Sequence, residues 1–152
     1  MITSGLAASR SVGATFFAPL HLSYLARTHA ELGQFDDAWH CMGEAMTAVE
    51  TTGEKLWEAE VYRTVGDIAL LSPEPDTAKA ERYFKRALSI ARAQQAKSWE
   101  LRAVTSLARL RCNQGKSEEA HDLLAPVYGW FTEGFDTLDL IEAKALLAEL
   151  AR

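Results

Sequence analysis

One internal spacing limits what this chain can fold into more than any other feature. The stretch "EKLWEAEVYRTVGDIALL" from Glu54 is echoed by "AKSWELRAVTSLARLRC" from Ala96. Lys55, Trp57 and Glu58 pair with Lys97, Trp99 and Glu100, 42 residues further on. Phe17 stands 40 residues before Trp57, and "SRSVGATF" resembles "VETTGEKLW", with Gly13 matching Gly53. A large aromatic therefore opens each of three units, and self-similarity at a period of roughly 40 residues signals stacked supersecondary units.

Within each unit the small and apolar residues read as two helices. The first unit carries Leu25, Ala26, Gly33, Ala38, Met42 and Ala45; the third repeats these offsets as Leu107, Ala108, Gly115, Ala120, Leu124 and Val127. The middle unit carries Val65 and Gly66, then Ala80, Phe84 and Ala87, with extra residues in "LSPEPDT". Spacings of three and four place such residues on one helical face. Gly33 and Gly115 stand where the first helix, helix A, must end, because glycine tolerates a left-handed backbone. Asp36, Asp37, Glu118 and Glu119 then fall in the first turn of helix B, where the helix dipole favours anions.

These residues resemble the tetratricopeptide repeat: a small residue in mid-helix A, a turn glycine, then alanine, a large apolar residue and alanine along helix B. The unit is longer than that family's usual period of about 34 residues. The resemblance implies an all-α right-handed superhelix in one domain spanning 1–152. Its parts are a half repeat (1–13), repeats at 14–53, 54–95 and 96–135, and a capping helix (136–152). Trp99 is then expected to seal helix A against the preceding helix B rather than to stack on a ligand.

Both ends add expectations. Residues 2–12 align with a helix B that lacks its helix A, Ile2 falling where Met42 does and Gly5 where Ala45 does. An array normally opens on a whole cap, because each unit buries its apolar face on a neighbour. A piece of a longer protein, a truncated product, or a homodimer through the open N-terminal face around Ile2 and Leu6 would each account for this. At the other end Asp136 is expected to cap a final helix with Leu138, Ile141, Ala145 and Leu146 on one face. Tyr128, Trp130, Phe131 and Phe135 crowd the turn before it, as a capping core or as an aromatic patch for a partner.

Composition narrows the function. The net charge is −5, and Lys and Arg are interspersed with Asp and Glu, so no nucleic acid is expected as a partner. Cys41 and Cys112 stand apart, which suits buried thiols in a reducing compartment. The N-terminus lacks the basic segment of a signal peptide, and no apolar run reaches 18 residues, so the reading is cytoplasmic with no membrane partner. There is no phosphate loop, no paired-glycine fingerprint and no HExxH. His21 and His29 are too far apart to share a metal, and His40 and His121 fall in separate helices. No catalytic residue, metal or cofactor is expected, and the chain reads as a non-enzyme.

Surface recognition remains. In tetratricopeptide arrays helix A lines a concave groove, and the usual groove positions fall here on Ser23, Arg27 and Glu31, on Glu60, Arg63 and Asp67, and on Arg102, Thr105, Arg109 and Asn113. Four of these are arginines, which bind carboxylates bidentately, so an acidic peptide or chain terminus is the expected partner. The same arginines could instead pair with neighbouring carboxylates, Arg63 with Asp67 and Arg102 with Glu60 or Glu100. Phrases such as "AKSWELRA" and "YGWFTEGFDT", within residues 50–150, resemble the C-terminal repeat region of large bacterial proteins joining a nucleotide cyclase, an ATPase and a repeat tail. That resemblance implies a docking or regulatory tail. A self-assembling structural unit is the third reading.

Overall fold

The computed structural model describes residues 18–52 and 55–151. Among them are seven α-helices and no strand: α1 (Ala18–Glu31), α2 (Phe35–Thr52), α3 (Glu58–Leu71), α4 (Thr77–Ala93), α5 (Lys97–Asn113), α6 (Ser117–Trp130) and α7 (Leu138–Leu150). No described helix is long and apolar enough to cross a membrane. The expectations placed on Ile2, Gly5, Leu6, Gly13 and Phe17 lie outside the described residues. The chain divides into two compact units, Met1–Ala80 and Glu81–Arg152.

The two units repeat one arrangement. In the first, α1 packs on α2 and both pack on α3. In the second, α5 packs on α6 and both pack on α7. Small residues permit the close approach: Ala26, Ala38 and Ala45 are fully buried in the first unit, and Ala108, Ala120 and Ala143 in the second. Met42 and Leu124 fill equivalent positions on the second helix of each hairpin and are buried. Phe84, at the same register position on α4, is buried as well.

Three helices end in one backbone device. Gly33 has φ +79° and Gly115 has φ +78°. The Gly33 amide donates to the Ala30 carbonyl at 3.0 Å and the Gln34 amide to that of His29 at 2.8 Å. The Gly115 amide donates to the Cys112 carbonyl at 3.0 Å and the Lys116 amide to that of Arg111 at 2.9 Å. These paired bonds are Schellman turns, which satisfy carbonyls left open at a helix end. Gln95 closes α4 in the same way at φ 55°, with its amide on Arg92 and the Ala96 amide on Ala91. A left-handed conformation costs a residue with a Cβ roughly 1–2 kcal/mol. Gln95→Gly should therefore raise stability by about 1 kcal/mol and Gly115→Ala should lower it by about the same. A Cβ at Gly115 would meet nothing within 4 Å, so the loss is one of backbone conformation alone. Urea unfolding of both variants checks the opposite signs.

Starts are less uniform. Asp76 caps α4, its carboxylate accepting the Lys79 amide at 3.0 Å. Asp36 and Asp37 open α2, and Glu118 and Glu119 open α6. The final helix departs from expectation at two points. Asp136 does not cap it: Thr137 occupies that position without a side-chain cap, and its hydroxyl donates to the Gly134 carbonyl at 2.7 Å. The buried face is Leu140, Ala143 and Leu146, while Leu138, Ile141 and Ala145 are exposed. Leu138, Leu140, Ile141, Leu146, Leu147 and Leu150 surround this helix with apolar side chains, so periodicity alone could not choose the inner face.

Candidate partner-binding surface

The residues expected to form a groove fall six in the first unit and four in the second. In the first unit they form a charged ladder along α1 and α3. Glu60 is only 2% exposed, and Arg63 meets it bidentately, Nη2 to Oε1 at 2.6 Å and Nε to Oε2 at 2.9 Å. Asp67 Oδ2 accepts from Arg63 Nη1 at 2.9 Å and from Arg27 Nη1 at 2.8 Å. Arg27 Nε also reaches Glu31 Oε1 at 3.1 Å. Ser23 is fully buried, its hydroxyl donating to the Pro19 carbonyl at 2.9 Å.

In the second unit the four residues share α5. Thr105 is buried and its hydroxyl donates to the Leu101 carbonyl at 2.7 Å. Such bonds to the carbonyl four residues back let a hydroxyl sit inside a helical core. Arg102 lies 3.5 Å from Asp139 and 5.7 Å over the Trp99 ring. Its acidic neighbour is thus Asp139 on α7, a residue that spacing on α5 could not indicate. Arg109 and Asn113 are exposed, and Arg109 makes no ion pair among the described residues. Trp99 itself is half-buried in the first turn of α5, and Trp57 immediately precedes α3.

A second constellation in this unit was missed. Lys97 Nζ lies 3.0 Å from Glu100 Oε1, and Arg92 Nε donates to Glu100 Oε2 at 3.1 Å. Lys97 also stands 5.3 Å over the Trp130 ring, which is 57% exposed and meets Phe131 edge-on at 5.2 Å. Arg92, Gln95, Lys97, Glu100 and Trp130 together line an open pocket. Two cations around one carboxylate leave a net positive charge beside an accessible indole. The Lys97–Glu100 spacing was visible in "AKSWE", but Trp130 joins it only through the packing of α5 on α6.

Burial alone would push the Glu100 carboxyl up, but hydrogen bonds and charge from Lys97 and Arg92 outweigh burial and hold it below the usual carboxylate range. A carboxyl lowered on folding contributes stability above its unfolded pKa, about 4.3 for Glu, and loses it as pH falls through the folded value. Wild type should therefore lose stability below about pH 4.3 more steeply than Glu100→Gln. Parallel urea titrations from neutral pH downward check this; identical slopes would contradict it. On the same unit, the hydrogen bond from the buried Arg111 guanidinium holds the Glu81 carboxyl low.

Burial pushes the Cys41 thiol up, with Glu44 and Asp37 adding to the effect, and a protonated thiol is a poor nucleophile. Among the described residues no three His, Cys, Asp or Glu side chains are grouped to hold a metal ion. No protein-family model and no curated protein matches the chain.

Proposed function

We propose that the chain is a non-catalytic protein-interaction module of tetratricopeptide type that binds an acidic peptide segment carrying an aromatic or large apolar side chain. The observation that carries this reading is the open pocket lined by Arg92, Lys97 and the exposed Trp130, with Lys97 standing over the indole ring. An indole offers a large, rigid contact, and cations fixed by Glu100 lose little freedom when a carboxylate arrives. Exposed aromatics beside ordered charge are favoured where proteins meet partners. Support for the repeat architecture comes from the recurring helix pairs and from the matching Schellman turns at Gly33 and Gly115. The groove expected along helix A is a weaker candidate, because Arg27 and Arg63 already serve carboxylates of their own unit.

Selection from a displayed random-peptide library tests the reading. Acidic sequences containing an aromatic should be enriched, and Lys97→Glu or Trp130→Ala should weaken the selected peptide at least about tenfold. Enrichment of basic peptides, or binding indifferent to both substitutions, would reject the pocket. A regulatory role within a larger cyclase–ATPase protein is the second reading, supported by the phrases "AKSWELRA" and "YGWFTEGFDT". An immunoblot of source cells separates it, since a tail would be carried on a band several times larger than 16.8 kDa.

A further inference from the structure

The outer face of α7 has the pattern of a helix that expects a companion. Leu138 is 67% exposed and Ile141 49% exposed, and Ala145 and Ala148 are exposed beyond them. Their spacing of three, four and three residues is that of the a and d positions of a heptad repeat. The buried residues Leu140, Ala143 and Leu146 occupy the opposite side, so the stripe is independent of the packing on α5 and α6.

The flanks of the stripe are charged in a particular order. With Leu138 and Ala145 at a, Glu142 and Glu149 occupy e and Lys144 occupies g. All three are exposed, and none makes an ion pair among the described residues. In a parallel pair of such helices, a g residue faces the e residue five positions later on the partner. Lys144 would then face Glu149 of a second copy, and two-fold symmetry makes the contact twice. An antiparallel pair would instead bring glutamate edge against glutamate edge. We infer that a second copy of this chain covers the stripe, the two α7 helices running parallel with their a and d residues interleaved. Alanine at the second a and d positions lets the backbones approach closely there. This surface is separate from the Lys97–Trp130 pocket and stands whether or not that pocket binds a peptide.

Sedimentation equilibrium of the full chain over a wide concentration range provides the test. The mass should rise from 16.8 kDa toward twice that value. Leu138→Glu should raise the dissociation constant at least tenfold with helical circular dichroism unchanged and, at concentrations where both proteins are single chains, an unchanged thermal midpoint, because the residue lies outside the core. Lys144→Glu should weaken association about tenfold by turning both g–e contacts repulsive. Adding Glu149→Lys to Lys144→Glu should restore it. A mass that stays at one chain up to millimolar concentration overturns the inference. So does association that the Lys144→Glu, Glu149→Lys double exchange fails to restore, since only parallel self-pairing puts those two residues opposite each other.

Discussion

Arg63→Met should destabilise the first unit by about 3 kcal/mol, one of the two largest effects expected of any single substitution here. Glu60 is almost wholly buried and takes two hydrogen bonds from the Arg63 guanidinium, while Arg63 also reaches Asp67. Removing the arginine leaves a carboxylate in a poorly hydrated place without its main counter-charge, a loss far larger than that of a surface pair. The pair as a whole is a different matter. Replacing both Glu60 and Arg63 by methionine removes the need to desolvate either charge, so the double variant should recover at least half of the loss. Urea unfolding of the single and double variants measures both numbers. A cost below about 1 kcal/mol for Arg63→Met would mean that water compensates Glu60 after all.

Phe84→Ala should cost about 3–5 kcal/mol, from lost burial and from the cavity left behind. Phe84 is fully buried on α4, at the register position that Met42 holds on α2 and Leu124 on α6. Those two residues show that the position needs a large apolar side chain but no particular one. Phe84→Leu should accordingly cost only about 1 kcal/mol, because most of the volume is kept. Equal losses for Ala and Leu would argue that the aromatic shape, rather than its bulk, is required. Unfolding followed by circular dichroism distinguishes the two results.

How far the sequence could be read depended on whether a residue's neighbours were near it along the chain. The turn glycines Gly33 and Gly115 and the buried alanines at 26, 38, 108 and 120 were all legible, because a helix brings together residues three and four apart. The left-handed Gln95 was not, since nothing in its type announces that conformation. Ser23, Thr105 and Glu60 looked like surface groups by residue type. Here the neighbours are close along the chain, the carbonyls four residues back for Ser23 and Thr105 and the Arg63 guanidinium three residues on for Glu60, but the inward turn of each position is set by tertiary packing that residue type does not announce. The Arg27–Asp67 contact joins residues 40 apart and follows only from the packing of α1 on α3. In α7, apolar residues on every side concealed which face turns inward. For the same reason the four residues expected on one face are divided, Leu138, Ile141 and Ala145 being exposed and Leu146 buried.

The Lys97–Trp130 pocket is proposed as the place where a protein partner docks. A photo-crosslinking amino acid at position 130, introduced in source cells, tests it most directly, with the same group at the exposed Glu118 as control. The expected result is a discrete adduct from position 130, absent from position 118 and abolished by Lys97→Glu. Its mass should differ from twice 16.8 kDa, the value that self-crosslinking would give. Identical adducts from both positions, or an adduct from position 130 that survives Lys97→Glu, would contradict the claim.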